Sequence, residues 1–320
     1  MQKSFFTVFL ICIVAAYGQN DGERIDYNSA NPFSFYHVIT DLDHQIPQKV
    51  YGILRFPEGV MLKNLPLVVG VAGSMAWGSH HFEYMEMYRK QGFATFELKS
   101  FASRNVSSTV GSQIEVTTAM MILDAYRALE ALATDERLDI RQAAITGWSL
   151  GGGVALYSAW QPLKDAISPN VGFAAHLAIY PPCIIDMDLV DFTDAPIHIL
   201  AGELDDWVPA DACIDLVGEM QASGADADIT VYPNAHHSFD RRTAPRKSID
   251  GYVLTDCMFR MRDDGAILMN FLDIPMITPL RQKVGLASCA GRGPTYGGNP
   301  IARKAAFEFA SGFMVKHLLK

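Results

Sequence analysis

The sequence predicts an α/β fold in which a mostly parallel central sheet is covered by helices on both faces. Short apolar runs typical of strands alternate with segments of helical periodicity along most of the chain, a pattern that favours a parallel sheet with helical crossovers. The pentapeptide Gly147-Trp148-Ser149-Leu150-Gly151 lies between an apolar run and a helix-like segment, where a serine can occupy a tight strand-to-helix turn. A chain of 320 residues can bury the core of one large domain.

The N-terminal residues 1–18 are predicted to be a signal peptide and not part of the fold. Lys3 precedes an apolar run over residues 5–16, and Ala16-Tyr17-Gly18 supplies the small residues of a cleavage site before Gln19. A membrane anchor is the alternative, but this run is shorter than the roughly 20 residues that a spanning helix needs. We therefore expect a secreted or periplasmic protein with no membrane span after signal removal.

The individual elements follow from periodicity and from the residues that bound each apolar run. The predicted strands cover residues 50–56, 65–72, 93–98, 143–146, 175–179, 197–201 and 229–232. The predicted helices cover residues 81–91, 113–133, 152–157 and 302–319.

Residues 241–299 interrupt this alternation. They are rich in Gly, Pro, Met and Arg and show no clean period. Irregular segments of this length inside a compact domain are usually functional or disordered. The sequence contains no internal repeat or linker, so we predict one domain over residues 19–320 with an ordered insertion or flap at 241–299.

Four cysteines remain after signal removal, and an even number in an exported chain indicates two disulfides. Three pairings are possible. We favour Cys183–Cys213 and Cys257–Cys289 because each joins neighbouring segments; buried free thiols are the alternative. The second bridge would staple the C-terminal insertion.

Charge and residue spacing exclude several classes of function. The formal net charge of −9 comes from acidic residues spread along the chain, which argues against nucleic acid as a partner. The cysteines lack the paired spacing of a zinc site, and no carboxylate spacing supports a metal site at His80-His81. We expect neither a metal nor another cofactor.

A serine nucleophile needs a histidine base and a carboxylate that orients the histidine. Asp205 follows the predicted strand 197–201, and His237 follows the predicted strand 229–232. The order Ser149, Asp205, His237 is the order of the α/β-hydrolase triad. Asp206 and His236 are the neighbouring alternatives. Asp205 is preferred because it lies three residues after Gly202, and His237 because Phe239 can anchor its loop in the core.

Four motifs of residues 65–239 together suggest a known family. They are Gly147-Trp148-Ser149-Leu150-Gly151-Gly152, Gly202-Glu203-Leu204-Asp205 with Val208-Pro209, Tyr232-Pro233-Asn234-Ala235-His236-His237-Ser238-Phe239, and residues 92–95 with 100–104. With these motifs the region resembles the dienelactone hydrolase family of α/β-hydrolases. The resemblance implies an α/β-hydrolase fold, hydrolysis of esters or lactones, and Ser149, Asp205 and His237 as the triad. The founding enzymes of the family use cysteine as the nucleophile, so Ser149 favours general ester hydrolysis over dienelactone itself.

An oxyanion hole requires two backbone N–H groups aimed at the developing negative charge. Leu150, directly after the nucleophile, should supply one of them. The turn Gly73-Ser74-Met75 should supply the other, from Ser74 or, as the alternative, from Met75.

The resemblance also implies arginines that bind a substrate carboxylate, at Arg104 and Arg241; surface or structural ion pairs are the alternative. Trp77 and His81 follow the oxyanion turn and are predicted to line the acyl pocket, unless they are ordinary residues of a helix start. Trp148, beside the nucleophile, is also predicted to contact substrate.

These observations together predict a secreted serine hydrolase that cleaves small-molecule carboxylic esters or lactones through an acyl-enzyme. One alternative is a polyester- or cutin-type hydrolase, which an open aromatic cleft would favour and a flap over Ser149 would disfavour. The other alternative is a non-catalytic binding protein that retains the fold. All three triad positions are filled, which argues against that alternative.

Overall fold

A computed structural model describes residues 22–319 of the chain. The predicted signal peptide, residues 1–18, lies outside the described residues. Within residues 22–319, no helix has both the length and the apolar composition needed to cross a bilayer.

The centre of the molecule is a mostly parallel sheet. Within the described residues it has eight strands in the order β1-β2-β4-β3-β5-β6-β8-β9, of which β1 and β2 join the rest by antiparallel pairing. In chain order the strands are β1 (Glu23–Ala30), β2 (Pro47–Arg55), β3 (Leu65–Val71), β4 (Ala94–Leu98), β5 (Leu138–Trp148), β6 (Ala175–Ile179), β7 (Ile185–Met187), β8 (Ile197–Gly202), β9 (Ala227–Tyr232), β10 (Arg246–Lys247), β11 (Tyr252–Val253), β12 (Phe259–Met261), β13 (Gly291–Arg292) and β14 (Thr295–Tyr296).

Helices cover both faces of this sheet, as the alternating sequence pattern predicts. The helices are α1 (Phe35–Thr40), α2 (Ser79–Lys90), α3 (Ser100–Ser103), α4 (Thr118–Leu132), α5 (Leu150–Tyr157), α6 (Gln161–Ile167), α7 (Ala210–Ala222), α8 (Pro279–Ala287) and α9 (Pro300–Leu318), with a 3-10 turn at Leu42–His44. This is the α/β-hydrolase fold that the sequence predicts.

Two layers of apolar side chains form the core because successive residues of a strand point to opposite faces of the sheet. In β3, Leu67 and Val69 belong to the cluster that includes α4 and α5, whereas Val68 belongs to the cluster that includes α2 and α9. All seven residues of β3 are buried. A continuous apolar run is therefore the pattern of a central strand covered on both sides.

Helix α4 is shorter than the predicted helix 113–133. It begins at Thr118, and the Thr117 hydroxyl accepts a hydrogen bond from the Met120 amide at 3.3 Å as the N-terminal cap. Glu115 instead accepts a hydrogen bond from the Thr109 hydroxyl at 2.7 Å. This loop contact and the cap hold residues 113–117 outside the helix.

Residues 241–299, here called the insertion, pack beside Trp207 and His237 at the carboxyl edge of the sheet. Four very short strands pair within it, as β10 with β14 and β11 with β13. A fifth, β12, pairs with β7 of the main domain. The insertion has its own apolar cluster, which includes Leu254, Phe259 and Leu286 and packs against Trp207.

The structure contains both disulfides in the favoured pairing. Cys183–Cys213 joins the segment after β6 to α7, and Cys257–Cys289 closes a stretch of the insertion with a sequence separation of 32. The second bridge staples the insertion, as the sequence predicts.

Candidate active site

Ser149 occupies a strained turn between β5 and α5. Its φ of 56° and ψ of −119° lie outside the regions that non-glycine residues favour. The flanking glycines make this turn possible: a Cβ at Gly147 would lie 1.9 Å from the Gly151 oxygen, and one at Gly151 would lie 2.1 Å from the Val71 oxygen. The Ser149 side chain is thus held above the carboxyl edge of the sheet, as a nucleophile elbow requires.

The structure brings Ser149, His237 and Asp205 into one hydrogen-bonded array. The Ser149 hydroxyl donates to Nε2 of His237 at 2.9 Å, and Nδ1 of His237 donates to Oδ2 of Asp205 at 2.7 Å. These contacts fix the histidine tautomer that can accept a proton from serine. Only a few per cent of the Asp205 and His237 surfaces is exposed, so water does not screen the pair.

Asp205, and not its neighbour Asp206, faces the histidine. The Oδ1 atom of Asp205 accepts from the amides of Trp207 and Val208, each at 2.9 Å. These bonds orient the carboxylate with Oδ2 towards His237. Asp206 points to the insertion, where it accepts from the Thr295 amide at 2.6 Å.

His236 lies outside the array. Its Nδ1 is 2.9 Å from the carbonyl oxygen of Leu204. Phe239, two residues after His237, is fully buried against Tyr180 and Tyr232, and so anchors the loop as expected. The structure thus places His237, and not His236, between Ser149 and Asp205.

Two aromatic rings hold the imidazole of His237 in place. The rings of Tyr180 and Trp207 lie 4.8 and 5.0 Å from it. Sequence reasoning assigned no role to either residue. Tyr180 directly follows β6 and has a φ of 40°. Its position at the end of a predicted central strand could have indicated from the sequence that it lies near the site.

A buried polar group lies beneath this histidine. The Tyr180 hydroxyl donates to Oδ1 of Asp240 at 2.9 Å, and Oδ2 of Asp240 has no partner within the described residues. Burial raises the pKa of Asp240 to about 6. Nε2 of His80 lies 3.8 Å from Asp240, but burial lowers the pKa of His80 to about 2, so His80 is neutral at pH 7.

The turn after β3 lies against the nucleophile. A Cβ placed on Gly73 would be 3.3 Å from Cβ of Ser149, which brings the following amides to the site. The Ser74 carbonyl accepts from the Thr109 amide at 2.9 Å, which fixes the turn. Among described residues, the amides of Ser74, Met75 and Leu150 donate to no protein group. The geometry is therefore compatible with Leu150 and with either candidate of the turn as oxyanion donors.

Two spaces meet at Ser149. The first, here called the small recess, is about 20 Å³ and contains the His237 side of the array. The second, here called the apolar cavity, is about 190 Å³ and reaches Ser149, Ser74 and Leu150. Beside the array, the small recess is lined by Met75, His81, Trp148, Tyr180, Arg241 and Tyr296.

Arg241 lines the small recess with an unpaired guanidinium. Its guanidinium contacts Sδ of Met75 at 4.0 Å and the ring face of Tyr296 at 5.4 Å. Its charge also acts on the buried Asp240, although no carboxylate of the described residues lies within ion-pair distance of it. Its Nε atom is buried and has no hydrogen-bond partner. The guanidinium can therefore donate hydrogen bonds to an anionic or strongly polar group in the recess.

Arg104 does not reach either space, and the prediction that it binds a substrate carboxylate is wrong. Its guanidinium donates to both oxygens of buried Asp124, at 2.7 and 3.1 Å. Further bonds run to Asn31 and to the Ala30 carbonyl. Arg104 therefore belongs to a structural ion pair, which is the alternative that the sequence analysis left open.

The three remaining predicted contact residues separate into two groups. His81 and Trp148 line the small recess and stack at 4.5 Å, and burial lowers the pKa of His81 well below its usual range. Trp77 lines neither space, so its predicted place in the acyl pocket is wrong. Its indole donates to the Leu98 carbonyl at 2.8 Å, and its ring stacks on Phe82.

A model of the dienelactone hydrolase family matches residues 84–256, and this match confirms the resemblance drawn from the motifs. The chain is 29% identical over 168 residues to dipeptidyl peptidase family member 1 of Caenorhabditis elegans, covering 47% of this chain and 20% of that protein. It is 28% identical over 162 residues to a candidate carboxymethylenebutenolidase of Yersinia pestis, covering 50% of this chain and 58% of that protein. The chain thus spans less than two thirds of the length of either relative.

Solved structures share the fold. A candidate dienelactone hydrolase of Klebsiella pneumoniae superposes with a TM-score of 0.50 at 20% identity, covering 68% of this chain and 89% of that chain. The structure named m3DLH superposes with a TM-score of 0.58 at 15% identity, covering 92% of this chain and 98% of that chain. The second match covers more of this chain than the first.

Proposed function

The chain belongs to the dienelactone hydrolase family, and on that premise we propose that it is a serine hydrolase of carboxylic esters or lactones. The observation that carries the proposal is the continuous array from Ser149 through His237 to Asp205. Binding alone would not require a serine in a strained turn beside an oriented, buried histidine.

The geometry supports a two-step reaction. In the first step His237 Nε2 takes the proton of Ser149 as the serine oxygen attacks the ester carbonyl carbon. The amides of Ser74 and Leu150 stabilise the negative charge on the carbonyl oxygen. The carbon–oxygen bond to the alcohol then breaks, and the alcohol leaves with the proton from His237. An acyl-enzyme on Ser149 remains.

The second step returns the enzyme to its starting state. Water gives a proton to His237 and attacks the acyl carbon, and the bond to Ser149 breaks as the serine oxygen recovers the proton. Asp205 keeps the imidazole in one tautomer and stabilises its positive charge in both steps.

The insertion favours small esters over a polymer. Tyr252, Leu254 and Phe259 of the insertion form part of the wall of the apolar cavity that ends at Ser149. A polyester chain requires an open cleft on both sides of the nucleophile, which this covering segment restricts.

Steady-state hydrolysis of a panel of soluble esters and lactones tests the proposal. We expect turnover by the wild-type protein and a fall in kcat on the order of 10⁶-fold in Ser149→Ala, because the three residues act as a unit. Ser158→Ala is a matched control, since Ser158 is buried in the core away from both spaces. Unchanged turnover in Ser149→Ala would refute the proposed chemistry.

We propose further that Arg241 binds an anionic group on the alcohol side of the ester. An unpaired guanidinium beside His237 can form two parallel bonds to a carboxylate. Arg241→Met should raise KM for a carboxymethyl ester at least tenfold more than for the methyl ester of the same acid. Arg242→Met is the control, because Arg242 pairs with Glu83 at the surface. Equal effects on both esters would exclude this role.

We also propose that the protein is exported. Residues 1–18 have the composition of a signal peptide, and two disulfides favour an oxidising compartment. Expression of the full chain in a secreting host, followed by N-terminal sequencing, should give a product that begins at Gln19. An uncleaved intracellular product would contradict export.

A further inference from the structure

The apolar cavity has a wall suited to a hydrocarbon group. None of the described residues that line it carries a charge. Main-domain residues such as Tyr157 and Ile184 form one side, and Leu254, Phe259, Met276 and Leu286 of the insertion form another. The volume of about 190 Å³ is several times that of one water molecule, so a chain of several carbons fits.

The cavity wall is fixed by a hydrogen bond from the insertion to the main domain and by a disulfide within the insertion. The Gln282 side chain of α8 donates to the Gln113 carbonyl at 2.6 Å. The Cys257–Cys289 disulfide ties the end of α8 to the segment before β12. These links hold the cavity open as a preformed site, and a preformed site binds with a smaller loss of conformational freedom.

The position of His237 assigns the two spaces to the two halves of an ester. His237 must protonate the leaving alcohol, and of the two spaces it lines the small recess and not the apolar cavity. The apolar cavity instead meets Ser149 beside Leu150, which lines only this space, whereas Ser74 lines both spaces. The alcohol therefore occupies the small recess, and the acyl group, which remains bonded to Ser149, extends into the apolar cavity.

We propose that the apolar cavity is the acyl pocket and that the substrates are esters of apolar, medium-length carboxylic acids with a small alcohol. This inference rests on the proposed function, since it requires an acyl group on Ser149. It extends that function by assigning acyl selectivity to the insertion and the size limit on the alcohol to the small recess.

Two series of esters test the assignment on the wild-type protein. In the acyl series, methyl acetate, butyrate, hexanoate and octanoate, kcat/KM should rise about fourfold per methylene until the cavity is full. In the alcohol series, methyl, butyl and hexyl butyrate, kcat/KM should fall, because the recess of about 20 Å³ has no room for a longer alcohol. A preference for acetate, or a gain that follows the alcohol instead of the acyl chain, would overturn the proposal.

One helix offers a matched pair of variants. Leu286 lines the cavity and is 8% exposed, whereas Leu280 on the same helix is 72% exposed. Leu286→Trp should lower kcat/KM for the octanoate ester at least tenfold and for the acetate ester less than twofold, because the indole fills the part of the cavity that a long acyl group needs. Leu280→Trp should leave the whole series unchanged. Equal losses for both esters in a folded Leu286→Trp would overturn the proposal.

The outcomes separate the two proposals. If the wild-type protein hydrolyses no ester and Ser149 takes no fluorophosphonate label, the proposed function fails and the acyl assignment fails with it. If esters are hydrolysed by Ser149 without regard to acyl length, only the acyl assignment fails. If Leu286→Trp does not fold, the two wild-type series still decide the question.

Discussion

Adjacent carboxylates have different partners in the loop after β8. Asp205 accepts two backbone amides and the His237 imidazole, whereas Asp206 accepts from the amide and the hydroxyl of Thr295 in the insertion. The backbone after β8 thus directs one side chain to the array and the next to the insertion. A change at either position tests this division.

Asp205→Asn should lower kcat on the order of 10⁴-fold. The asparagine amide would present a donor to Nδ1 of His237 and favour the tautomer that cannot accept the serine proton. Asp206→Asn keeps an acceptor for Thr295 and should change kcat by no more than about twofold. Ester hydrolysis and circular dichroism of both variants provide the measurement. Similar losses in both variants would contradict the assignment of Asp205.

Asp240 is a buried acid whose charged form is disfavoured by the fold. Its surroundings include the Tyr180 hydroxyl, neutral His80 and the guanidinium groups of Arg241 and Arg303. The pKa of about 6 exceeds the usual value of Asp, about 3.9, so the folded state binds a proton more tightly than the unfolded state does. This contribution to stability is complete below pH 4 and is lost as the pH rises through 6.

Asp240→Asn should therefore become more stable relative to the wild type as the pH rises. From pH 4 to pH 8 the difference in unfolding free energy should shift in favour of the variant by up to about 3 kcal/mol. The asparagine oxygen can still accept from Tyr180. Urea unfolding of both proteins at each pH gives the difference directly. A difference that does not vary with pH would show that Asp240 is ionised in the folded state without cost.

At the scale of the element, the insertion is a separate small structure attached to the catalytic edge. Its own apolar cluster includes Cys257 and partly buried Cys289, and its strands have only two or three residues each. Pairs this short contribute little stability alone. We infer that the disulfide and the apolar cluster together keep the insertion ordered.

Replacing Cys257 and Cys289 together with alanine should lower the unfolding free energy by about 2–4 kcal/mol, because the open chain gains conformational entropy when it unfolds. Hydrolysis of octanoate esters should fall more than hydrolysis of acetate esters, since the cavity wall loosens. Limited proteolysis should locate new cleavage between residues 257 and 289. An unchanged acyl preference together with unchanged proteolysis would exclude this role for the bridge.

The elements that the sequence predicted best are those with strong local signals. The buried strand β3 was evident from its continuous apolar run, and the elbow from its glycines on either side of Ser149. Strand β1 was missed because only Tyr27 of its eight residues is buried, so no alternating pattern marks it. The short strands of the insertion were missed because β10 pairs with β14 across about 50 residues of chain.

At the site, residue order located the three residues of the array but not the surroundings of Arg104 and Arg241. Strand ends and spacing placed Ser149, Asp205 and His237 at one edge of the sheet. The contacts of Arg104 depend on Asp124 of α4, which the fold places beside it. No local sequence pattern predicts that these two residues are neighbours. Arg241 is distinguished from Arg104 only by what surrounds it in three dimensions.

At the scale of the whole molecule, the parallel sheet is what assembles the site. Ser149 follows β5, and the loops of Asp205 and His237 follow β8 and β9, which run parallel in the same half of the sheet. Their carboxyl ends therefore lie on one edge, although Ser149 and His237 are 88 residues apart in sequence. Ligand sites of open α/β sheets lie at this edge for the same reason.

The measurement that tests the account most directly is covalent labelling of the folded protein with a fluorophosphonate, followed by peptide mass spectrometry. The account predicts one adduct, on Ser149, that is absent from Ser149→Ala. It also predicts much slower labelling of His237→Ala, because the serine hydroxyl loses its base. An adduct on another residue, or a folded wild-type protein that takes no label, would contradict the claim that Ser149 is the nucleophile.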